Sequence, residues 1–240
     1  MILGFSHWRG IFWFLAVFAL GLLVMTAYFL PESHPKEKRL PLNLPVLAGG
    51  YKAIIGNRRF RLLALAGTFN FGALFLYIAS APAFVLDILK LNEQQFVWFF
   101  APTIGGMIFG AFISGRAAGR MKGERLANIG FIVCGVATLW NLGYHYFVAQ
   151  PGVALSVLPT LLIAFGIALV FPILTIAILD MFPNQRGSAS SMQAFVGLLS
   201  NALIAGFFSP MLSDSALQLA AGAACFTVLG FALWRWSLAL

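Results

Sequence analysis

Seven long apolar segments separated by short polar ones constrain the fold of this chain more than any other feature of its sequence. They cover approximately residues 11–30, 60–82, 95–115, 126–147, 154–178, 188–210 and 216–236. A helix crosses the hydrocarbon core of a bilayer with about 20 mostly apolar residues. The segments are too long and too uniformly apolar for the alternating strands of a membrane barrel. The sequence therefore predicts an all-α membrane protein with seven transmembrane helices.

The composition agrees with a lipid environment rather than an aqueous one. Charged residues make up only 9 % of the chain, against about 25 % in average soluble domains. The formal net charge is +8, and the basic residues lie between the apolar segments. This placement favours the anionic surface of a bilayer over nucleic acid as the partner. We therefore predict contact with lipid and no binding to nucleic acid.

The basic residues are distributed unequally between the two ends of the predicted helices. Of the 15 Lys and Arg residues, only Arg9 and Lys90 lie on one side. The others lie in the segment 31–59 and just beyond it, after the third apolar segment, before the sixth, and near the C-terminus. Because cytoplasmic loops carry an excess of Lys and Arg, the linker and the C-terminus are predicted to be cytoplasmic.

The segment 31–59 is the main polar interruption of the chain. Its four prolines prevent a continuous helix, which indicates a cytoplasmic tether between two membrane bundles. Residues 46–58 are alternatively a short helix on the membrane face, with Lys52 and Arg58 directed toward lipid headgroups.

The first apolar segment begins close to Met1 but does not resemble a signal peptide. It lacks a strongly basic start, and LPES follows it instead of a small-residue cleavage site. We expect this segment to be an internal helix of a longer protein whose front is absent.

Three further stretches carry a family resemblance: HWRGIFWFL (His7–Leu15), GYKAIIGNRRF (Gly50–Phe60) and FPNQRGSASS (Phe182–Ser191). Together with LPES, they resemble the second half of a major facilitator superfamily transporter, most similar to the Bcr/CflA-type drug-resistance efflux branch. The resemblance implies three parts. Residues 1–30 are the last helix of the N-terminal bundle, 31–59 the cytoplasmic linker, and 60–240 the C-terminal six-helix bundle.

The resemblance also implies an activity, which is proton-driven efflux of drugs or small amphipathic compounds by alternating access in a bacterial inner membrane. It implies no cofactor beyond the proton gradient. A missing N-terminal helix bundle, from the same gene or a separate chain, is the implied partner. Two alternatives remain open: a transport-inactive truncated remnant, and a major facilitator transporter of another small-molecule class. We find no acidic residue at mid-membrane depth, so a proton-coupling carboxylate is expected in the missing half.

The sequence lacks the common motifs of enzymes and metal sites. Neither H-E-x-x-H nor G-x-x-x-x-G-K-[ST] occurs, and no histidine is placed to serve Ser188 as a base. Cys134 and Cys225 lie within apolar segments, away from each other and from histidine. We therefore predict neither an enzyme nor a metal site.

Polar and aromatic residues within two predicted spans are the candidates for a substrate cavity. Asn70 and Tyr77 share one helix face by their spacing, as do Gln193 and Asn201. The resemblance places both spans beside the cavity, where Phe71 and Phe75 supply an aromatic wall. The alternative is that these polar side chains only join neighbouring helices.

Two further motifs suggest gating or helix packing. The basic loop at Arg116, Arg120, Lys122 and Arg125 resembles a cytoplasmic gate of the family, although Gly119 stands where an aspartate is usual. Its alternative role is to set membrane orientation. Small residues at Gly106, Gly110 and Ser114 allow close helix approach, either as a sliding surface or as static packing.

Overall fold

A computed structural model of the chain describes residues 8–31, 43–148 and 151–240. Within these ranges the regular structure is helical. The α-helices are α1 Trp8–Phe29, α2 Leu44–Gly56, α3 Arg58–Ala79, α4 Val97–Ala117, α5 Gly123–Phe147, α6 Val153–Met181, α7 Arg186–Leu203, α8 Ser209–Leu212 and α9 Ala216–Leu238. Short π-helical turns at Ala83–Ile88 and Ile204–Phe208 and a 3₁₀ turn at Glu93–Phe96 connect some of them.

Within the described residues, seven helical segments are long and apolar enough to cross a bilayer, which confirms the predicted all-α membrane fold. They are Arg9–Phe29, Arg58–Ala79, Glu93–Ala117, Gly123–Phe147, Val153–Met181, Arg186–Leu212 and Ala216–Leu238. Each contains its predicted segment to within a few residues. The sixth span is composite, because α7 continues through the π-helical turn Ile204–Phe208 into α8.

The chain divides into two compact units, Met1–Val46 and Leu47–Leu240. In the first unit, α1 is a single apolar helix with a mean hydropathy of 2.3. Its side chains from Phe12 to Pro31 are all exposed. A helix that is apolar on every side suits an environment of lipid or of other membrane helices.

The second unit is a bundle organised around α3 and α6. Residue pairs in contact define the directions of its helices. Gly106 of α4 faces the Leu161 carbonyl of α6, and Gly110 faces Phe165 one turn later, so α4 and α6 run parallel. Gly230 of α9 approaches the Ala66 carbonyl and Gly222 approaches Leu76, so α9 and α3 run antiparallel. α5 is likewise antiparallel to α6, with Gly123 against Ile173 and Gly130 against Gly166.

Hydrogen bonds between side chains join these helices at several depths. Each such bond contributes roughly 0.6–2 kcal/mol in a membrane bundle. They are Tyr77–Asn141 (2.6 Å), Ser80–Ser209 (2.7 Å), Trp234–Asn128 (2.8 Å), Gln193–Thr175 (3.0 Å) and Thr103–Thr160 (3.3 Å).

One end of the bundle collects most of its positive charge, and we call it the basic end. α3, α5 and α7 begin there, whereas α4, α6 and α9 end there. Contacts between Phe60 and Phe182, and between Trp234 and Asn128, hold these termini together. Among the described residues of this unit, Lys90 is the one Lys or Arg outside the basic end.

The predicted linker 31–59 is divided between the two units, because most of α2 belongs to the bundle. The Ile54 side chain is fully buried, with a relative exposure of 0 %, in a core cluster that also contains Phe60, Ile178 and Trp234. The Gln185 side chain lies directly over Gly50. Residues 47–56 are therefore a helix packed on the bundle rather than a free tether.

Candidate functional site

The structure places the predicted cavity residues Asn70 and Tyr77 inside the bundle. Both are on one face of α3, as their spacing predicts, but that face is buried. The Tyr77 hydroxyl accepts a hydrogen bond from the Asn141 amide of α5, and its ring packs edge-on against Phe84. Asn70 lies against α9 at Gly230. In this arrangement the Tyr77 side chain joins α3 to α5, the Asn70 side-chain oxygen has no partner among the described residues, and neither residue is accessible from outside the bundle.

The remaining cavity candidates keep a partly accessible surface. The rings of Phe71 and Phe75 are half-buried, with centroids 6.0 Å apart. Gln193 and Asn201 are also half-buried and occupy the side of α7 that faces the bundle. Gln193 donates a hydrogen bond to the Thr175 hydroxyl of α6, whereas the Asn201 side-chain oxygen has no protein partner. These four residues remain predictions for a substrate pathway.

Two spans expose long apolar surfaces on the second unit. α4 is buried only along one stripe, and α7 has Ala189 as its one fully buried residue. Their exposed side chains include Trp98, Ile108, Phe109 and Phe112 on α4, and Phe195, Leu198, Leu199 and Leu203 on α7. Surfaces this apolar require a cover of lipid or of further membrane helices.

An open cleft lies between the first turns of α4 and α6, at the end of the bundle opposite the basic end. Its volume is about 520 Å³. Gln95 is the one amide side chain in a lining that is otherwise apolar, with Leu91, Trp98, Pro102, Val157 and Leu161 among its residues. No sequence pattern predicts this cleft, because its lining residues come from two separate spans.

The predicted gate loop is an exposed basic turn between α4 and α5. Arg116, Arg120, Lys122 and Arg125 are all exposed, and the Arg116 guanidinium lies 4.5 Å from the centroid of the Phe112 ring. Within the described residues, none of the four forms an ion pair with a carboxylate. Their predicted role in gating stays a prediction.

Gly119 within this loop has a specific conformational role. Its φ angle is +76°, in the left-handed region, where it reverses the chain directly after α4. Because a β-carbon disfavours this region, glycine is well suited to the position, whereas aspartate tolerates it better than most residues do. This conformation gives a physical reason for the glycine that departs from the family pattern.

We expect Gly119→Ala to lower the free energy of unfolding by about 1 kcal/mol, because the new β-carbon strains the backbone. Gly115→Ala is the matched control, since Gly115 is helical and has open space around it. Thermal unfolding of the two purified variants in detergent checks the prediction. Equal melting temperatures for both variants would contradict it.

The small-residue stripe of α4 packs within the bundle. A β-carbon on Gly106 or Gly110 would overlap backbone carbonyl oxygens of α6, and Ser114 is buried on the same stripe. Thr103 extends this contact by a hydrogen bond to Thr160. The arrangement supports static packing against α6 rather than a sliding surface between two bundles.

The described acidic residues all lie at helix ends or between helices. Asp87, Glu93 and Asp214 are at the end opposite the basic end, while Glu124 and Asp180 are at the basic end. Asp180 forms an exposed ion pair of 3.0 Å with Arg186. Among the described residues, no group of three or more His, Cys, Asp or Glu side chains is placed to hold a metal ion.

The described part of the chain contains seven apolar helices, six of them packed in one bundle with basic residues gathered at one end, and this defines a multi-pass helical membrane protein. Residues 1–205 match the family model of the Major Facilitator Superfamily. The chain belongs to this family of membrane transporters.

Curated relatives agree with the drug-resistance branch of the family. The bicyclomycin resistance protein homolog of Haemophilus influenzae is 24 % identical over 220 residues, which are 90 % of this chain and 54 % of the relative. Multidrug resistance protein MdtM of Escherichia coli is 26 % identical over 205 residues, 82 % of this chain and 48 % of the relative. Multidrug resistance protein D of the same species is 26 % identical over 195 residues, which are 81 % of this chain and 47 % of the relative. The chain spans about half the length of these relatives.

Proposed function

We propose that this chain supplies the C-terminal helix bundle of a proton-driven exporter of drugs or small amphipathic compounds. The observation that carries this proposal is the pair of exposed apolar spans, α4 and α7, on a bundle whose family is one of transporters. A second bundle, from the same gene or another chain, would cover part of these surfaces. Alternating access requires two such bundles that rock about a central substrate site.

The compound class is proposed from the relatives and from the accessible residues. The names of three relatives refer to bicyclomycin resistance or multidrug resistance. Phe71 and Phe75 offer aromatic surface on α3, and Gln193 and Asn201 offer a few polar groups on α7. A sparsely polar, aromatic wall suits varied amphipathic compounds. Coupling to protons is assigned to the other bundle, because the described acidic residues lie away from mid-span.

The membrane orientation is also a proposal. The basic end of the bundle is assigned to the cytoplasm of a bacterial cell by the excess of Lys and Arg there. The protein is accordingly placed in the inner membrane, and the cleft between α4 and α6 opens on the opposite side.

Everted membrane vesicles from cells that make the protein in its natural context test the function. We expect lipophilic cations to release protons from acidified vesicles in a manner that depends on this protein. For two different lipophilic cations, the ratio of their proton-release rates should change by about threefold or more in Gln193→Ala or Asn201→Ala. This is the effect expected for loss of one hydrogen bond of roughly 0.5–1.5 kcal/mol. Gln218→Ala is the matched control, because Gln218 is exposed at the start of α9.

An antibody against the C-terminal helix, applied to the same membranes, separates the alternatives. A band well above 26.0 kDa supports an exporter with two bundles in one chain. A band at 26.0 kDa without transport supports an inactive remnant. Transport of other solutes, with no response to lipophilic cations, supports a major facilitator of another class. Proton-driven uptake by proteoliposomes of this polypeptide alone would overturn the need for a second bundle.

A further inference from the structure

Five exposed cationic side chains are carried by the second half of α2, the first turn of α3 and the last turn of α9. We call this set the basic rim, and it consists of Lys52, Arg58, Arg59, Arg61 and Arg235. The Arg58 guanidinium carbon lies 5.0 Å from the centroid of the Trp236 ring, which joins the start of α3 to the end of α9. The Asn57 side chain caps α3 by accepting a hydrogen bond from the Phe60 amide, so the backbone that carries the three arginines is well defined.

Within the described part of the chain, no carboxylate balances the positive charge of the basic rim. All five side chains are exposed, and none forms an ion pair with a described carboxylate. Asp180, at the same end of the bundle, is already paired with Arg186. The three arginines also occupy the first turn of α3, where the helix dipole is positive and no acidic residue is present. This arrangement favours the binding of an anion beside it.

The surroundings of the basic rim indicate what kind of anion it binds. Trp236 is half-exposed at the end of a membrane span, a position that aromatic residues favour at the lipid headgroup level. Val228, Ala232 and Trp236 follow one another at four-residue spacing along the exposed side of α9. An apolar track therefore leads from the hydrocarbon region directly to the guanidinium of Arg58. Guanidinium groups bind phosphate oxygens in a bidentate manner.

We propose that the basic rim is a binding site for an anionic phospholipid. The phosphate headgroup is held by Arg58 with Arg59, Arg61 and Arg235 around it, and an acyl chain lies along Val228 and Ala232. Lys52 of the docked helix α2 adds charge from the adjacent element. This inference requires only that α3 and α9 span a membrane, so it does not depend on the transported compound.

Retention of lipid by the purified full chain tests the site. The chain in detergent is mixed with phosphatidylglycerol, phosphatidylcholine or soluble glycerol phosphate, and bound molecules are counted by native mass spectrometry. We expect phosphatidylglycerol to bind about tenfold more tightly than phosphatidylcholine, since each basic residue near a membrane surface adds to the attraction for anionic lipid. Glycerol phosphate should not compete, because it lacks the acyl chain.

A matched pair of variants locates the binding. R58Q/R59Q/R61Q removes three positive charges from the basic rim, and R116Q/R120Q/R125Q removes three from the loop between α4 and α5 at the same end of the bundle. We expect the first variant to lose about tenfold in affinity for phosphatidylglycerol and the second to change by less than about threefold. Equal losses of phosphatidylglycerol affinity in the two variants would overturn the proposal in favour of a nonspecific charge effect. Equally strong competition by glycerol phosphate would overturn it in favour of a simple anion site.

A second measurement on the unmodified chain does not depend on how the variants fold. Raising NaCl from about 0.05 M to about 0.5 M should weaken phosphatidylglycerol binding and leave phosphatidylcholine binding unchanged. Phosphatidylglycerol with brominated acyl chains should also quench the fluorescence of the parent chain more than that of Trp236→Phe. Quenching that is the same in both proteins would place the lipid elsewhere and overturn the proposal.

Discussion

Gly106→Leu should separate α4 from α6 and lower the stability of the bundle by about 3 kcal/mol or more. A β-carbon at this position overlaps the carbonyl oxygen of Leu161, and a backbone atom in a helix cannot turn aside as a side chain can. Overpacking of a well-packed contact costs typically about 1–3 kcal/mol. The larger value is expected here because Gly110 makes a second backbone contact one turn later, and both contacts must open together.

Gly105→Leu provides the control, because it adds the same side chain one residue earlier. Gly105 is exposed, and a β-carbon added to it would meet no atom within 4 Å, so Leu there extends into the surroundings of the bundle. The free energies of unfolding of both variants, measured by titration with denaturing detergent, should differ by about 3 kcal/mol. Equal stabilities would show that α4 does not pack on α6 through this stripe.

The seven spans could be predicted from the sequence because the thickness of the hydrocarbon core sets their length. In a chain with so few charges, apolar segments of this length have no common structure other than a membrane-spanning helix. The structure extends several spans by a few residues at each end, where polar groups such as Glu93 and Arg186 begin the helical turns. The close approach at Gly106 and Gly110 was also predictable, since only small residues allow it. Their partner α6 was not, because spacing on one helix does not identify the neighbour.

The roles of the polar residues within the spans were harder to predict. An asparagine that faces a cavity and one that joins two helices give the same pattern in a single sequence. Asn70 and Tyr77 show this: they share one helix face, as predicted, but that face is buried within the bundle. Asn128, which accepts a hydrogen bond from Trp234, was not separable from surface polar residues without knowledge of the neighbouring helices.

The docking of α2 had the weakest sequence signal. Pro45 and three glycines within it favour a tether, and the two adjacent isoleucines, Ile54 and Ile55, look equivalent in sequence. In the structure Ile54 is fully buried and Ile55 is 46 % exposed. Ile54 belongs to a core cluster with Phe60, Ile178 and Trp234, which come from three different helices, and Ile55 does not.

Ile54→Ala should therefore lower the free energy of unfolding by about 2–4 kcal/mol, as truncation of a fully buried isoleucine usually does. The adjacent Ile55→Ala should cost well under about 1 kcal/mol, because its side chain is already largely exposed. Detergent titration of both variants checks this difference. Similar values for the two would show that α2 is not anchored in the bundle.

Ile54→Ala should also loosen the turn that precedes α7. Gln185 packs over Gly50 of α2, and α7 begins at the next residue, Arg186. We expect Ile54→Ala to increase proteolytic cleavage both within α2 and in the turn 182–185, while cleavage in the loop 118–122 is unchanged. Cleavage confined to α2 would mean that the turn holds its position without the helix. Cleavage in both segments would show that α2 helps to hold α7 in position, because α7 has little other burial in the bundle.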